Sequence, residues 1–228
     1  MRLNHPSNFY INSSPTLTGV DTVMFGIESE VKIHSKKLSW LKPVLEQWLR
    51  VHRDYIESNN CDDSLYWYNE RANVGALAGA IWRSGGFALE EFGAIKGKEE
   101  DESKGRVDLF FQYAGKQVVA EAKQSWVYLT GNKKRDFRSL IDKALNSARS
   151  DIIRTQGSLE HQYGLGLVFL PTYTKDLENS KEEMGRFLAE INSTECDFFA
   201  WLKNTSGENL ISYNNEYCDA VALIGVSV

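Results

Sequence analysis

The stretch from Gly105 to Gln124 limits what this chain can fold into more than any other. Its two arms, Gly105-Arg-Val-Asp-Leu-Phe-Phe-Gln-Tyr113 and Lys116-Gln-Val-Val-Ala-Glu-Ala-Lys-Gln124, flank Ala114-Gly115. Both are rich in Val, Phe and Tyr, and a short Gly-containing break between such runs predicts a β-hairpin. With a two-residue loop Tyr113 opposes Lys116, and counting outward sets Asp108 opposite Glu121 and Arg106 opposite Lys123. Opposed side chains share a face with Cβ atoms about 4.5–5.5 Å apart, and like charges there are destabilising. Two anions so placed call for a charge between them, and a divalent cation supplies it. A rival register, a type I turn with a Gly bulge at Gly115, would shift the pairing by one residue and separate the acids.

Period-two alternation puts Val107, Leu109, Phe111, Val118, Ala120 and Ala122 on one face, which reads as core. Arg106, Asp108, Phe110, Val119, Glu121 and Lys123 fall on the other. The competing explanation of that second face is a solvated surface with diagonal ion pairs, Asp108 with Lys123 and Arg106 with Glu121. A third acid bears on the choice. In a helix expected over Leu65–Ser84, Glu70 shares a stripe with Val74, Leu77 and Ile81, and a carboxylate on an apolar stripe is costly unless paired or metal-bound. The alternative for Glu70 is a helix-start residue near the surface, favoured by the helix dipole.

Around the hairpin the pattern predicts a helix from Ser39 to about Ile56 and a strand at Phe87–Phe92. A charged loop, Lys96 to Lys104, should precede the hairpin. A helix over Phe137–Arg154 and a strand Leu165–Leu170 ended by Pro171 follow it. Extended pieces are expected at Thr22–Phe25 and Glu28–Ile33, a helix near Lys181–Ile191, and strands near Phe198–Leu202 and Ala220–Val226. The sum is a mixed α/β (α+β) protein, a mixed sheet flanked by helices. At 228 residues the chain suits one well-buried domain with additions.

At this point the chain resembles the PD-(D/E)XK nuclease superfamily, the restriction endonuclease-like fold. The matching pieces are Glu70 in the preceding helix, Asp108 in Gly105-Arg-Val-Asp-Leu109, and Glu121-Ala-Lys-Gln124, within the order helix, three strands, helix, strand over about Leu65–Leu170. Val107 stands where the family pattern has a Pro. The resemblance implies an αβββαβ core over 61–175. An N-terminal extension over 1–60, with an amphipathic helix and packed on that core, and a C-terminal helix and strands over 176–228 are expected as additions that the resemblance does not cover. It implies a nuclease, most simply an endonuclease hydrolysing DNA, with Mg²⁺ or Mn²⁺ held by Asp108, Glu121, the carbonyl of Ala122 and Glu70. Lys123 would position water or offset charge at the phosphate; Gln124 points to the opposite face and receives no role.

The expected partner is therefore nucleic acid, DNA before RNA, with a homodimer or a protein partner left open. A non-catalytic binding module on the same fold, or a subunit active only within a larger complex, is the alternative. The net charge of −5 favours it, because nucleic-acid binders usually carry a basic footprint. Basic clusters do exist at Lys36-Lys37, Lys96/Lys98 and Lys133-Lys134-Arg135 with Arg138. The last is the candidate nucleic-acid contact, while Lys143 and Arg149 in the following helix are lesser ones. His5, His34, His52 and His161 show no paired spacing, which argues against a zinc site. Cys61, Cys196 and Cys218 read as reduced, buried thiols of a cytoplasmic protein. No signal peptide or membrane span is expected.

Overall fold

A computed structural model of the chain describes residues 26–97, 103–130, 135–156, 163–205 and 215–228. Its elements in chain order begin with β1 (Ile27–Ile33), a 3-10 segment Lys36–Leu41 and α1 (Lys42–Ser58). A 3-10 turn Leu65–Trp67, α2 (Glu70–Arg83), β2 (Phe87–Lys96), β3 (Ser103–Tyr113), β4 (Lys116–Gln124) and β5 (Val127–Leu129) follow. The chain then forms α3 (Phe137–Gln156), β6 (Tyr163–Thr174), α4 (Leu177–Ser193), β7 (Phe198–Asn204) and β8 (Ala220–Ser227). The sheet order is β1-β7-β8-β6-β4-β3-β2, with β5 paired to β6. Because β4 runs antiparallel to β3 and parallel to β6, the sheet is mixed. The α3 crossover is what lets β6 return parallel to β4.

Helices cover both faces. Val44, Trp48 and Ile56 of α1 and Val74, Leu77 and Ile81 of α2 bury against Leu109, Phe111, Val118 and Ala120. Ile141, Leu145 and Ala148 of α3 and Phe187 and Ile191 of α4 bury against Val168, Leu170 and Ile224. β6 and β8, sandwiched between the layers, are apolar almost throughout, as strands buried on both faces must be. The fold is thus an α/β sheet flanked by helices. No helix among the described residues is long and apolar enough to cross a membrane.

Several boundaries differ from the sequence expectation, each for a local reason. Ser39 caps nothing: it lies inside a 3-10 segment, and Pro43 in the first turn starts α1 at Lys42. The helix expected over Leu65–Ser84 is two pieces, because Asn69 caps α2 by accepting from the Ala72 N–H at 3.0 Å. Strand β6 passes through Pro171 instead of ending there. Pairing with β4 stops at Phe169 and pairing with β5 begins at Thr172, so Pro171 sits where that edge needs no donor. The three-residue β5 carried too short a pattern to be expected. The extended piece at Thr22–Phe25 lies outside the described residues.

The hairpin has the two-residue loop. Tyr113 pairs with Lys116 and Leu109 with Ala120. Ala114 and Gly115 take φ of 50° and 71°, the left-handed pair that matches the twist of the flanking strands. The rival register with a Gly bulge is not formed.

Candidate functional site

Everything distinctive about the hairpin happens at Asp108, where the regular ladder gives way on both sides. Toward β4, pairing ends at Leu109 and Ala120, so the expected ladder pairs Asp108–Glu121 and Arg106–Lys123 do not form. The Asp108 carboxylate takes the next amide instead, accepting from Ala122 N–H at 2.8 Å. Toward β2, Glu90 pairs with Leu109 and Phe92 with Val107, and the Glu91–Asp108 pair between them is missing. Glu91 has φ of 49° there, and its carboxylate turns to Arg71 and to Arg106 at 2.9 Å. The kink also breaks the alternation. Val107 buries beside Val119 and Ile152, with Phe110 packed against the same cluster, so it leaves the face shared by Leu109 and Phe111 on which the alternation had placed it.

Three more side chains, Glu70, Glu121 and Lys123, gather where β3 and β4 part. Glu70, in the first turn of α2, accepts from Gln124 N–H at 2.8 Å. It is therefore a helix-start residue and an inward one at once. Glu121 is buried, 2 % exposed, and its Oε1 accepts from Thr155 Oγ1 at 2.6 Å and meets Lys96 Nζ at 2.7 Å. Lys123 Nζ lies 2.5 Å from Asp151 Oδ2. The diagonal pairs Asp108–Lys123 and Arg106–Glu121 are not what forms. Asp151 and Thr155 come from α3, so Glu121 and Lys123 share the α3 face of the sheet as the alternation requires. Gln124 faces the other way, accepting at 2.9 Å from the buried Asn73 of α2.

The electrostatics tie the acids into one unit. Burial pushes the Glu121 carboxyl above its ordinary range, Lys96 and Thr155 pull it back, and the Asp108 charge pushes it up again. Burial likewise raises Glu70, opposed by Lys123 and reinforced by Asp108. For Lys123 burial works to lower the ammonium pKa, but the hydrogen bond and charge of Asp151, joined by Glu70 and Asp108, outweigh it and raise the value. Glu70 and Glu121 thus both feel the Asp108 charge.

The donor set suits a hard dication in its chemistry. Among the described residues, one oxygen of each acid is held by an amide, a hydroxyl or an ammonium, and the other carries no hydrogen bond. Oxygen ligands of this kind, with a strand carbonyl beside them, are what Mg²⁺ and Mn²⁺ take. A ready-made cage is not formed: among the described residues no three His, Cys, Asp or Glu side chains stand grouped to hold a metal ion.

Of the expected nucleic-acid contacts, Arg135 and Arg138 do not join this cluster. Lys133 and Lys134 lie outside the described residues. Arg135 donates to the Tyr128 carbonyl and lies over the Phe137 ring at 5.9 Å. Arg138 donates to the Ser193 carbonyl at 3.1 Å and pairs with Asp142 at 3.7 Å. Arg138 sits at the far end of α3, about 20 Å along the helix from Asp151 at 1.5 Å per residue, and Arg135 precedes that helix. Lys143 and Arg149 are exposed on the same helix.

The site residues that the sequence reading missed are Lys96, Asp151, Thr155 and Asn73. Asp151 and Thr155 continue the apolar stripe of α3 beyond Ala148 and Ile152, and Asn73 stands one turn beyond Glu70 toward Leu77. Polar residues on a buried stripe were the available signal. Lys96 had none, because it reaches Glu121 only through the pairing of β2 with β3. No protein-family model matches the chain, and no curated protein matches it.

Proposed function

We propose that this chain is a metal-dependent phosphodiesterase of nucleic acid, DNA before RNA, most simply an endonuclease. The observation that carries this reading is the convergence of Glu70, Asp108, Glu121 and Lys123, from a helix and two strands, on the end of β4. Two of the acids are clamped there on strand amides, Asp108 on Ala122 and Glu70 on Gln124. Asp108, Glu121 and the Ala122 carbonyl would hold Mg²⁺ or Mn²⁺, with Glu70 on the α2 side. Bound there, the ion would supply Lewis-acid polarisation of a phosphate and ionisation of water near neutral pH. Lys123 offsets negative charge growing on the phosphoryl oxygens, and Asp151 fixes where its ammonium points. Asn73 pins Gln124, and with it the strand end that carries the site. A cytoplasmic setting fits the three free, buried thiols.

A second reading, a non-catalytic module on the same fold, is favoured by one observation: Glu121 and Lys123 each already own an ion-pair partner. Plasmid cleavage in Mg²⁺ or Mn²⁺ separates the two. Wild type should nick or linearise DNA, and Asp108→Ala and Lys123→Ala should not. Cleavage by both variants at the wild-type rate would refute the assignment, and no cleavage by any form would favour the module.

A further inference from the structure

The sequence treats Lys96 as one more surface lysine, but the fold has built a place for it. β2 ends at Lys96, and the next residue, Gly97, donates its N–H to the Arg154 carbonyl of α3 at 3.0 Å. The aliphatic stem then lies over Gly105 of β3, where a Cβ would stand 3.0 Å from Lys96 Cδ and 3.3 Å from Cε. A Cβ at this position would crowd the stem, and the glycine leaves it room. The ammonium ends 2.7 Å from Glu121 Oε1, with the lysine side chain 18 % exposed and the glutamate 3 %. Thr155 holds the same oxygen. A buried carboxylate left without a counter-charge is costly, and here the Lys96 ammonium supplies that charge.

We propose that Lys96 is the resident counter-ion of Glu121, a positioning residue that neutralises this acid in the metal-free protein and competes with the divalent cation for it. The proposal rests on the metal-dependent reading above. It accounts for an acid set with suitable donors that is not gathered into a cage: one ligand is turned onto an ammonium. Metal entry then exchanges one cation for another at Glu121 and releases the lysine. The cost of that exchange sets the metal affinity, which makes Lys96 the residue that tunes it.

The test is calorimetric titration of MnCl₂ into wild type, Lys96→Met, Lys96→Gln and Asp108→Ala, with melting temperatures in chelator and in Mn²⁺. Both Lys96 variants should bind Mn²⁺ roughly tenfold or more tightly than wild type, the scale on which groups behind a ligand tune a metal site. Their melting temperatures should fall in chelator and recover in Mn²⁺ by more than wild type gains, a rescue that a merely structural lysine would not show. If Lys96→Met folds poorly without metal, Lys96→Gln carries the same comparison, since it keeps a donor for Glu121 but no charge. Unchanged or weaker Mn²⁺ binding in the Lys96 variants, with Asp108→Ala deficient, overturns the role of Lys96 alone. Equal behaviour of wild type and Asp108→Ala overturns the metal site itself and this proposal with it.

Discussion

Replacing Gly166 by Ala should damage the candidate site from behind, because α3 reaches Glu121 and Lys123 only by pressing onto β6 at that glycine. Gly166 pairs in register with Glu121. A Cβ on it would stand 2.9 Å from the Ala148 carbonyl carbon, 3.0 Å from its oxygen and 3.1 Å from the Arg149 nitrogen. These are backbone atoms in the middle of a helix and cannot rotate aside, so either α3 lifts or β6 bends. Overpacking of this kind costs about 1–3 kcal/mol. At roughly 2–4 °C per kcal/mol for a chain of this size, the melting temperature should drop by about 2–12 °C. The lift also stretches the 2.5 Å Lys123–Asp151 and 2.6 Å Thr155–Glu121 contacts, so Mn²⁺ binding and cleavage should fall with it. Thermal and urea denaturation read the stability, with Gly79→Ala as the control. No atom lies within 4 Å of a Cβ added at Gly79, and Ala in mid-helix should gain about 0.5–1 kcal/mol. A Gly166→Ala protein melting within about 1 °C of wild type, beside a control that responds, would refute the close-approach argument.

Two further changes probe parts of the fold away from the site. His52 is fully buried with neither ring nitrogen hydrogen-bonded among the described residues, and burial lowers its pKa to about 3. His52→Leu should therefore stabilise the protein by about 1–3 kcal/mol at neutral pH. The neutral ring contributes stability above the ordinary histidine pKa that is lost as pH falls toward 3, at about 1.4 kcal/mol per unit. Urea titrations from neutral pH downward should show that slope reduced in His52→Leu, and an identical slope would sink the argument. Ala114 pays for a φ of 50° in the hairpin loop, so Ala114→Asn, a residue suited to that turn, should gain about 1 kcal/mol. A loss of stability in the same titration would contradict this.

The elements could be read because their signals are local. Alternating Val and Phe on either side of Ala114-Gly115 mark the two strands and leave two registers one residue apart, and stripes such as Ile141, Leu145, Ala148 and Ile152 mark a helix without reference to anything distant. Errors fell where a single residue competes with the periodicity. Asn69 cut the second helix in two, Pro43 delayed the first, and Pro171 was read as a stop although it meets no ladder on one side. At Asp108 the strand pattern itself failed: a carboxylate replaced a ladder bond, and Val107 changed faces.

What the chain determined by itself is the hairpin and its faces: the two-residue loop, and Glu121 and Lys123 on one side of β4, follow from turn length and a period of two, and Glu70 follows from its helical stripe. Who neutralises them was decided only by the tertiary packing. Glu121 found Lys96 and Thr155, and Lys123 found Asp151, because α3 could press close over Gly166 and β2 could lay a lysine across Gly105. Contacts of this kind depend on docking between elements far apart in sequence, with the hydrogen-bonding Thr155 standing 34 residues from Glu121. Periodicity reports only which face a residue occupies, and the partner on the far side of that face is chosen by where the two surfaces meet.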